Sequence, residues 1–311
     1  MQSGHVFGPV PSRRLGRSLG VDLVPLKTCT YDCIYCQLGR TTCKTVERRE
    51  WVPVQVVLSE LERRLATRPD YITLSGSGEP TLFCPLDTLI AGIRSLTGTP
   101  VAVLTNGSLL GDAAVQTELC EADLVIPSLD TGNEADFRLV NRPHEDIMFE
   151  GMLAGLAEFR GRFRRQVWLE VFLLGGYTTF EREIADLRRC VDLIQPDRVQ
   201  LNTISRPPSE DYAIAVSRAR LEEIAATFSP PAEIIAEFHS ERALEAGGVS
   251  RDEILQLLRR RPCAIDDIAA GLGMHRHEVL KYVEHLSDEG LVEERRVGDR
   301  LYFRAVEQHS P

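Results

Sequence analysis

The sequence predicts an α/β fold, namely a full or partial (β/α) barrel followed by a small second domain. From about Gly20 to Phe238, short apolar runs alternate with amphipathic helical stretches. Most of these runs are apolar on both faces, as in Val-Ala-Val-Leu, which is typical of parallel strands covered by helices. A chain of 311 residues suffices for one large domain and one small one. In such a barrel, chemistry is expected at the carboxyl ends of the strands.

The predicted elements of the large domain follow one another as βα units. The strands are expected at residues 21–25, 71–75, 100–105, 123–129, 167–174, 198–203 and 233–238. The helices are expected at residues 54–67, 86–97, 111–121, 147–159, 180–194 and 218–228.

A second unit begins at the glycine pair Gly247 and Gly248, which breaks the preceding pattern. Helices are predicted at 250–261, 264–271 and 275–289, and strands at 291–297 and 300–305. Ser250 and Glu253 fit a capping box, and the Gly298-Asp299 pair favours a hairpin. This order is typical of a winged helix, so we expect domains at 1–246 and 247–311.

Composition limits the function classes. The chain has 36 Lys and Arg against 46 Asp and Glu, a net charge of -10, which argues against binding nucleic acid by bulk charge. No apolar stretch reaches the ~18 residues of a membrane span, and residues 1–5 lead into Pro and Arg rather than an export segment. We therefore expect a soluble cytoplasmic protein with no membrane partner, whose eight cysteines are reduced.

Three cysteines, Cys29, Cys33 and Cys36, lie close together in the loop after the first predicted strand. A closed structural zinc site requires four ligands, and no fourth Cys or His follows at ligand spacing. A cubane 4Fe-4S cluster held by three thiolates keeps one iron open for a reacting ligand. The ligand number therefore favours reactive iron-sulfur chemistry over a structural zinc ion.

With Tyr35 before the last cysteine, the motif resembles the C-x-x-x-C-x-Φ-C signature of the radical S-adenosylmethionine (SAM) superfamily. The resemblance implies one 4Fe-4S cluster, chelation of SAM at its open iron, and Tyr35 beside the adenine. It also implies cleavage of SAM to methionine and a 5'-deoxyadenosyl radical, with electrons from a donor such as flavodoxin or ferredoxin.

A glycine-rich loop, residues 75–81, follows the second of these strands, where the superfamily carries a Gly-Gly-Glu element for the SAM amino group. The resemblance therefore assigns Ser77, Gly78 and Glu79 to SAM. Ser77 departs from the pattern, because a glycine usually stands there. The alternative is a plain glycine-rich βα turn.

Further SAM contacts are expected at the following strand ends. The resemblance implies that Asn106, Ser128 and Asp130 lie near the ribose and carboxylate, Arg142 pairs with the carboxylate, and Leu173 packs on the adenine. Asn106 equally fits a simple Asn-Gly turn, and Arg142 a solvated charge.

The run of residues 7–42 resembles the Fe-S oxidoreductase group related to the wyosine-synthesis enzymes, a resemblance that extends to about residue 238. Arg13, Arg14 and Arg17 would line a pocket for an anionic substrate or remain solvated. Asn202 and Arg206 follow the sixth strand on the expected substrate side, although a structural role is the favoured alternative.

The other five cysteines show no Cys-x-x-Cys spacing, so no auxiliary cluster is predicted. Cys120 and Cys190 are expected in the core, whereas Cys84 and Cys43 are weak candidates for a hydrogen-atom donor or a metal ligand.

The expected recognition helix of the second unit, residues 274–286, is only modestly basic. Residues 249–311 contain ten Lys and Arg against twelve Asp and Glu. A basic edge would comprise His275, Arg276, His277, Lys281, Arg295, Arg296 and Arg300. Binding of tRNA, DNA or a protein segment therefore stays open.

Three classes of function follow. The leading one is a radical SAM enzyme that abstracts hydrogen from an RNA, peptide or small-molecule substrate. A redox-sensing regulator that binds DNA is disfavoured by the acidic balance and the large βα domain. A zinc-stabilised interaction protein is disfavoured by the ligand count.

Overall fold

The computed structural model describes residues 4–12, 14–235, 251–274, 276–298 and 300–306. The strands are β1 (Val6–Ser12), β2 (Gly16–Val21), β3 (Thr28–Cys29), β4 (Cys43–Lys44), β5 (Tyr71–Leu74), β6 (Val101–Thr105), β7 (Leu124–Pro127), β8 (Gln166–Leu173), β9 (Arg198–Thr203), β10 (Glu233–Ile234), β11 (Val292–Val297) and β12 (Arg300–Ala305). The helices are α1 (Val54–Arg64), α2 (Leu86–Leu96), α3 (Ala113–Leu119), α4 (Glu134–Val140), α5 (Phe149–Arg162), α6 (Glu181–Ile194), α7 (Arg218–Ala225), α8 (Arg251–Arg260), α9 (Ile265–Leu272) and α10 (Arg276–Asp288).

Eight strands form one sheet in the order β1-β2-β5-β6-β7-β8-β9-β10. Every neighbouring pair is parallel except β1 and β2, which are antiparallel. Because the strands follow chain order with helices between them, their carboxyl ends meet at one edge. The predicted α/β class with a mostly parallel sheet is confirmed.

The N-terminal strands differ from the prediction. The strand expected at 21–25 ends at Val21, where its pairing with β5 stops at Leu74. Strand β1 was missed because Pro9 and Pro11 argue against a strand, but prolines are tolerated at a sheet edge. Residues 236–238 of the last predicted strand lie outside the described residues.

The core lies between the sheet and its helices. Leu19, Ile72 and Leu169 of the sheet, and Leu89 and Ile93 of α2, have no exposed surface. Fully burying such a side chain contributes roughly 1.5 to 3 kcal/mol. This packing fixes the strand ends from which the site is built.

The C-terminal helices α8 to α10 pack with the antiparallel pair β11 and β12 around a second core. Phe7 and Val10 of β1 join this core, so the unit lies against the edge of the sheet. The expected boundary at 246/247 and the cap Ser250 lie outside the described residues. No helix in the described part of the chain is long and apolar enough to span a bilayer.

Candidate active site

A cavity of about 410 Å³ extends from β2, β5 and β6 to the loops after β5, β7 and β9. Its size is that of a ligand pocket. The predicted site residues that line it are Cys29, Cys33, Tyr35, Cys36, Ser77, Gly78 and Ser128. The fold thus brings together the cysteine loop and the glycine-rich loop, whose nearest ends, Cys36 and Ser75, are 39 residues apart in sequence.

Two of the three thiols of this cavity accept hydrogen bonds from the surrounding backbone and amides. The Sγ of Cys29 accepts from the backbone N of Tyr31 at 3.5 Å and from Nδ2 of Asn106 at 3.6 Å. The Sγ of Cys33 accepts from Nδ2 of Asn141 at 3.5 Å. Burial, and then the Glu79 carboxylate, raise the pKa of Cys29 to about 12. Metal ligation by this thiol would therefore require the loss of its proton.

The residues of the cavity fit an iron-sulfur cluster. No three His, Cys, Asp or Glu side chains among the described residues converge on a single metal ion. A cubane places each thiolate on a different iron, so its ligands are spread more widely than those of one ion. The hydroxyl of Tyr31, which also lines the cavity, is buried without a hydrogen-bond partner among the described residues. A group bound in the cavity would satisfy this hydroxyl.

The glycine-rich loop lies directly against the cysteine loop. Gly76 has a φ of 122°, which favours glycine. A Cβ on Gly78 would lie 1.7 Å from the carbonyl oxygen of Thr28, and the next backbone N, that of Glu79, donates to the same oxygen at 3.1 Å. Ser77 stands where a glycine was expected; it is buried, and its backbone N donates to Asp22 Oδ1 at 2.9 Å.

The Glu79 carboxylate, which was expected to face SAM, does not line the cavity. Its Oε1 accepts from Thr81 Oγ1 and Thr105 Oγ1, both at 2.6 Å, and its Oε2 accepts from the backbone N of Asn106 at 2.7 Å. Asn106 also lies behind the lining, where its Nδ2 donates to Thr30 Oγ1 at 2.7 Å. Glu79 therefore joins the loop after β5 to the end of β6.

Tyr35 is fixed from two sides. Its hydroxyl donates to Asp130, and its ring stacks on Phe172 with centroids 4.1 Å apart. Asp130 also accepts from Nδ2 of Asn141 at 2.6 Å, and burial raises the pKa of Asp130 to about 6. Asp130 thus lies behind Tyr35 rather than in the cavity lining.

Phe172 and Asn141 are site residues that the sequence reasoning missed. Successive strand residues point to opposite faces, so Phe172 lines the cavity while Leu173, the expected adenine contact, is fully buried in the core. The available signal was strand alternation in β8. No sequence pattern marks Asn141 as a site residue, because only folding places it between Cys33 and Asp130.

Arg142 is not brought to the cavity. Its Nη1 lies 2.7 Å from Glu210 Oε1, and its Nη2 donates to the Tyr212 hydroxyl at 2.6 Å. The guanidinium of Arg142, which was expected to bind the SAM carboxylate, therefore forms an ion pair with Glu210 instead.

Some of the other candidate residues line the cavity, and the rest lie elsewhere. Arg14, Asn202 and Arg206 line the cavity, Arg17 does not, and Arg13 lies outside the described residues. Cys43 is exposed, and Cys84 contacts Glu118 instead of the cavity. Cys190 is buried as expected, and Cys120 packs against the core.

The sequence model of the Radical SAM superfamily matches residues 23–191, which include the cysteine and glycine-rich loops. The chain belongs to the radical SAM superfamily. Members of this superfamily are enzymes that bind a 4Fe-4S cluster and SAM.

Two relatives and one solved structure show how far the similarity extends. A UPF0026 protein of Helicobacter pylori strain J99 is 33% identical over 307 residues, 96% of this chain and 97% of that one. A protein of Brachyspira hyodysenteriae named GTPase Obg is 38% identical over 308 residues, 97% of this radical SAM chain but only 45% of the relative. The crystal structure of a radical SAM methyltransferase from Sphaerobacter thermophilus has a TM-score of 0.53 at 15% identity, covering 70% of this chain and 65% of that one, and so shares the fold.

Proposed function

We propose that this chain is a radical SAM enzyme in which Cys29, Cys33 and Cys36 hold one 4Fe-4S cluster with an open iron for SAM. When bound, the cluster supplies the electron that cleaves SAM to methionine and a 5'-deoxyadenosyl radical, which abstracts hydrogen from the substrate. The observation that carries the proposal is that these are the three cysteines lining the described part of the cavity, directly beside the glycine-rich loop.

The chain's own residues would bind and orient SAM. The Tyr35 and Phe172 rings offer a flat apolar surface for the adenine, and the backbone at Ser77 and Gly78 offers acceptors to the SAM ammonium. Ser128, which also lines the cavity, would face the ribose. Glu79, Asn106 and Asp130 are positioning residues in this proposal, since their side chains support the cysteine loop, the glycine-rich loop or Tyr35.

The C-terminal unit is proposed to be a winged helix, residues 247–311, attached to a partial-barrel core of residues 1–246. Three helices followed by an antiparallel strand pair support this assignment. Arg260 and Arg261 of this unit line the cavity, so the unit takes part in substrate recognition. The electron donor is proposed to be flavodoxin or ferredoxin. The link to wyosine synthesis stays a prediction.

The test is anaerobic reconstitution with iron and sulfide. We expect a brown protein with about four irons per chain, which produces 5'-deoxyadenosine from SAM and dithionite, as measured by liquid chromatography. Cys33→Ala should lose the iron, whereas Cys43→Ala, which changes an exposed cysteine, should keep it. A colourless zinc protein, or a Cys33→Ala variant that keeps its iron, would contradict the proposal.

A further inference from the structure

The cavity is positively charged although the chain as a whole is acidic. Among the described residues, its charged lining side chains are one carboxylate, Glu170, and five cations: Arg14, Lys27, Arg206, Arg260 and Arg261. The whole chain carries a net charge of -10. Cations concentrated in one cavity favour an anionic ligand.

Two of the lining arginines are already neutralised by carboxylates. Arg14 forms an ion pair with Glu170. The Nε of Arg260 lies 2.5 Å from Asp22 Oδ2, and the guanidinium also lies over the ring of Phe7. The charges of these two arginines are therefore used in ion pairs within the cavity wall.

Arg206 and Arg261 are different. Each has a buried Nε with no hydrogen-bond partner among the described residues. Arg206 Nη1 donates to Gln37 Oε1 at 3.2 Å, and its Nη2 lies 3.8 Å from Asp267 Oδ2, which is a long ion pair. Unpaired buried donors are unusual, and a bound acceptor would satisfy them.

The two guanidinium groups are close enough to affect each other. Burial, and then the charge of Arg206, lower the pKa of Arg261. The Cys263 side chain and then Asp267 act in the opposite direction and raise the pKa of Arg261, and Asp267 is also the ion-pair partner of Arg206. Two half-buried cations that share one carboxylate leave positive charge only partly compensated, which a bound anion would offset.

We propose that Arg206 and Arg261 bind a phosphate group of the substrate. The identification of this cavity as the substrate site rests on the proposed function. A carboxylate has two oxygens, which one guanidinium can occupy, whereas a phosphate monoester has three terminal oxygens and up to two charges. It therefore suits two guanidinium groups from separate chain segments, the loop after β9 and the C-terminal end of α8.

The test uses the full-length reconstituted protein with SAM present and phenyl phosphate as the probe. Isothermal titration calorimetry should show that Arg206→Met and Arg261→Met each weaken phenyl phosphate binding by about 10-fold or more, the effect of losing a charge-assisted hydrogen bond. Arg259→Met is the matched control, because Arg259 is exposed in the last turn of α8, two residues before Arg261, and does not line the cavity. Benzoate should bind more weakly than phenyl phosphate. Equal binding of phenyl phosphate by wild type and both cavity variants would overturn the proposal, as would no binding by wild type.

A second arm distinguishes the source of the phosphate. A short oligoribonucleotide that competes with phenyl phosphate, with the same dependence on Arg261, would identify an RNA phosphate. Competition by small phosphate monoesters alone would identify a metabolite. Both results support the phosphate site.

SAM cleavage in the same samples separates this inference from the proposed function. If wild type forms 5'-deoxyadenosine but does not bind phenyl phosphate, only the phosphate site fails. If it binds the probe through Arg261 but forms no 5'-deoxyadenosine, only the radical SAM assignment fails. Loss of SAM affinity in the variants would assign the arginines to the SAM carboxylate and overturn the proposal. Arg261→Lys, which keeps the charge, should bind less tightly than wild type if Arg261→Met does not fold.

Discussion

Single residues decide how closely the two loops of the site approach. The backbone of Gly78 contacts the carbonyl of Thr28, the residue before Cys29, without space for a side chain. Ser77 fits one position earlier, because the loop is held there through its backbone N and Asp22. A departure from the usual Gly-Gly-Glu element is therefore tolerated at residue 77 but not at residue 78.

Gly78→Ala should lower the free energy of unfolding by about 2 kcal/mol or more, because a backbone oxygen must move to admit the methyl group. It should also reduce the iron content. Gly161→Ala is the control, since Gly161 has open space in α5 and alanine favours a helix by up to about 1 kcal/mol. Urea denaturation and iron analysis measure both effects. Equal unfolding midpoints for the two variants would contradict the close contact.

Among the elements, α8 and β1 attach the C-terminal unit to the sheet. Arg260 at the end of α8 reaches Asp22 after β2, stacks on Phe7 of β1, and donates to the Gly4 carbonyl at 2.8 Å. Asp22 in turn supports Ser77 of the glycine-rich loop. The buried carboxylate of Asp22 thus contacts both the C-terminal unit, through Arg260, and the glycine-rich loop, through Ser77.

Arg260→Met should destabilise the protein by about 3 kcal/mol, since it leaves the Asp22 charge buried without its partner. Adding Asp22→Asn should recover part of the loss, because the asparagine keeps an acceptor for Ser77. A double-mutant cycle in urea measures this coupling, with Arg259→Met expected within about 0.5 kcal/mol of wild type. Additive effects of the two substitutions would show that the pair is not coupled.

Across the whole molecule, charge is distributed unevenly. The expected basic edge of the C-terminal unit is partly neutralised, because Arg276 lies 3.4 Å from Asp266 and Arg295 pairs with Asp211. His275 lies outside the described residues. The concentrated positive charge is inside the cavity instead, which favours a small anionic ligand over a DNA duplex.

Duplex DNA should therefore bind weakly. Fluorescence anisotropy with a 20-base-pair duplex should give a dissociation constant no tighter than about 10 µM at 150 mM salt, within the non-specific range. A constant near 10 nM that depends on the exposed Arg296 would instead support the redox-sensing regulator.

The local sequence pattern was sufficient to predict most of the helices and strands. Strand β9 begins and ends where the sequence predicts, and β12 does as well, because apolar and β-branched runs between turns encode strands locally. Helix α4 was missed, whereas α3, which is also seven residues long, was predicted within 111–121. Leu173 was expected to contact the adenine, whereas the structure places Phe172 in the cavity lining and Leu173 in the core, because residue numbers alone do not show which strand face meets the cavity.

By itself, the sequence determined the cysteine motif, the glycine-rich loop and the repeated βα units, since each depends on residues close together in the chain. Only the tertiary structure decided that Glu79 and Arg142 are occupied by other protein groups, and that Arg206 and Arg261 meet at the cavity. The partners of a charged side chain come from distant segments, and no local pattern records them. Burial then decides which charges remain available to a ligand.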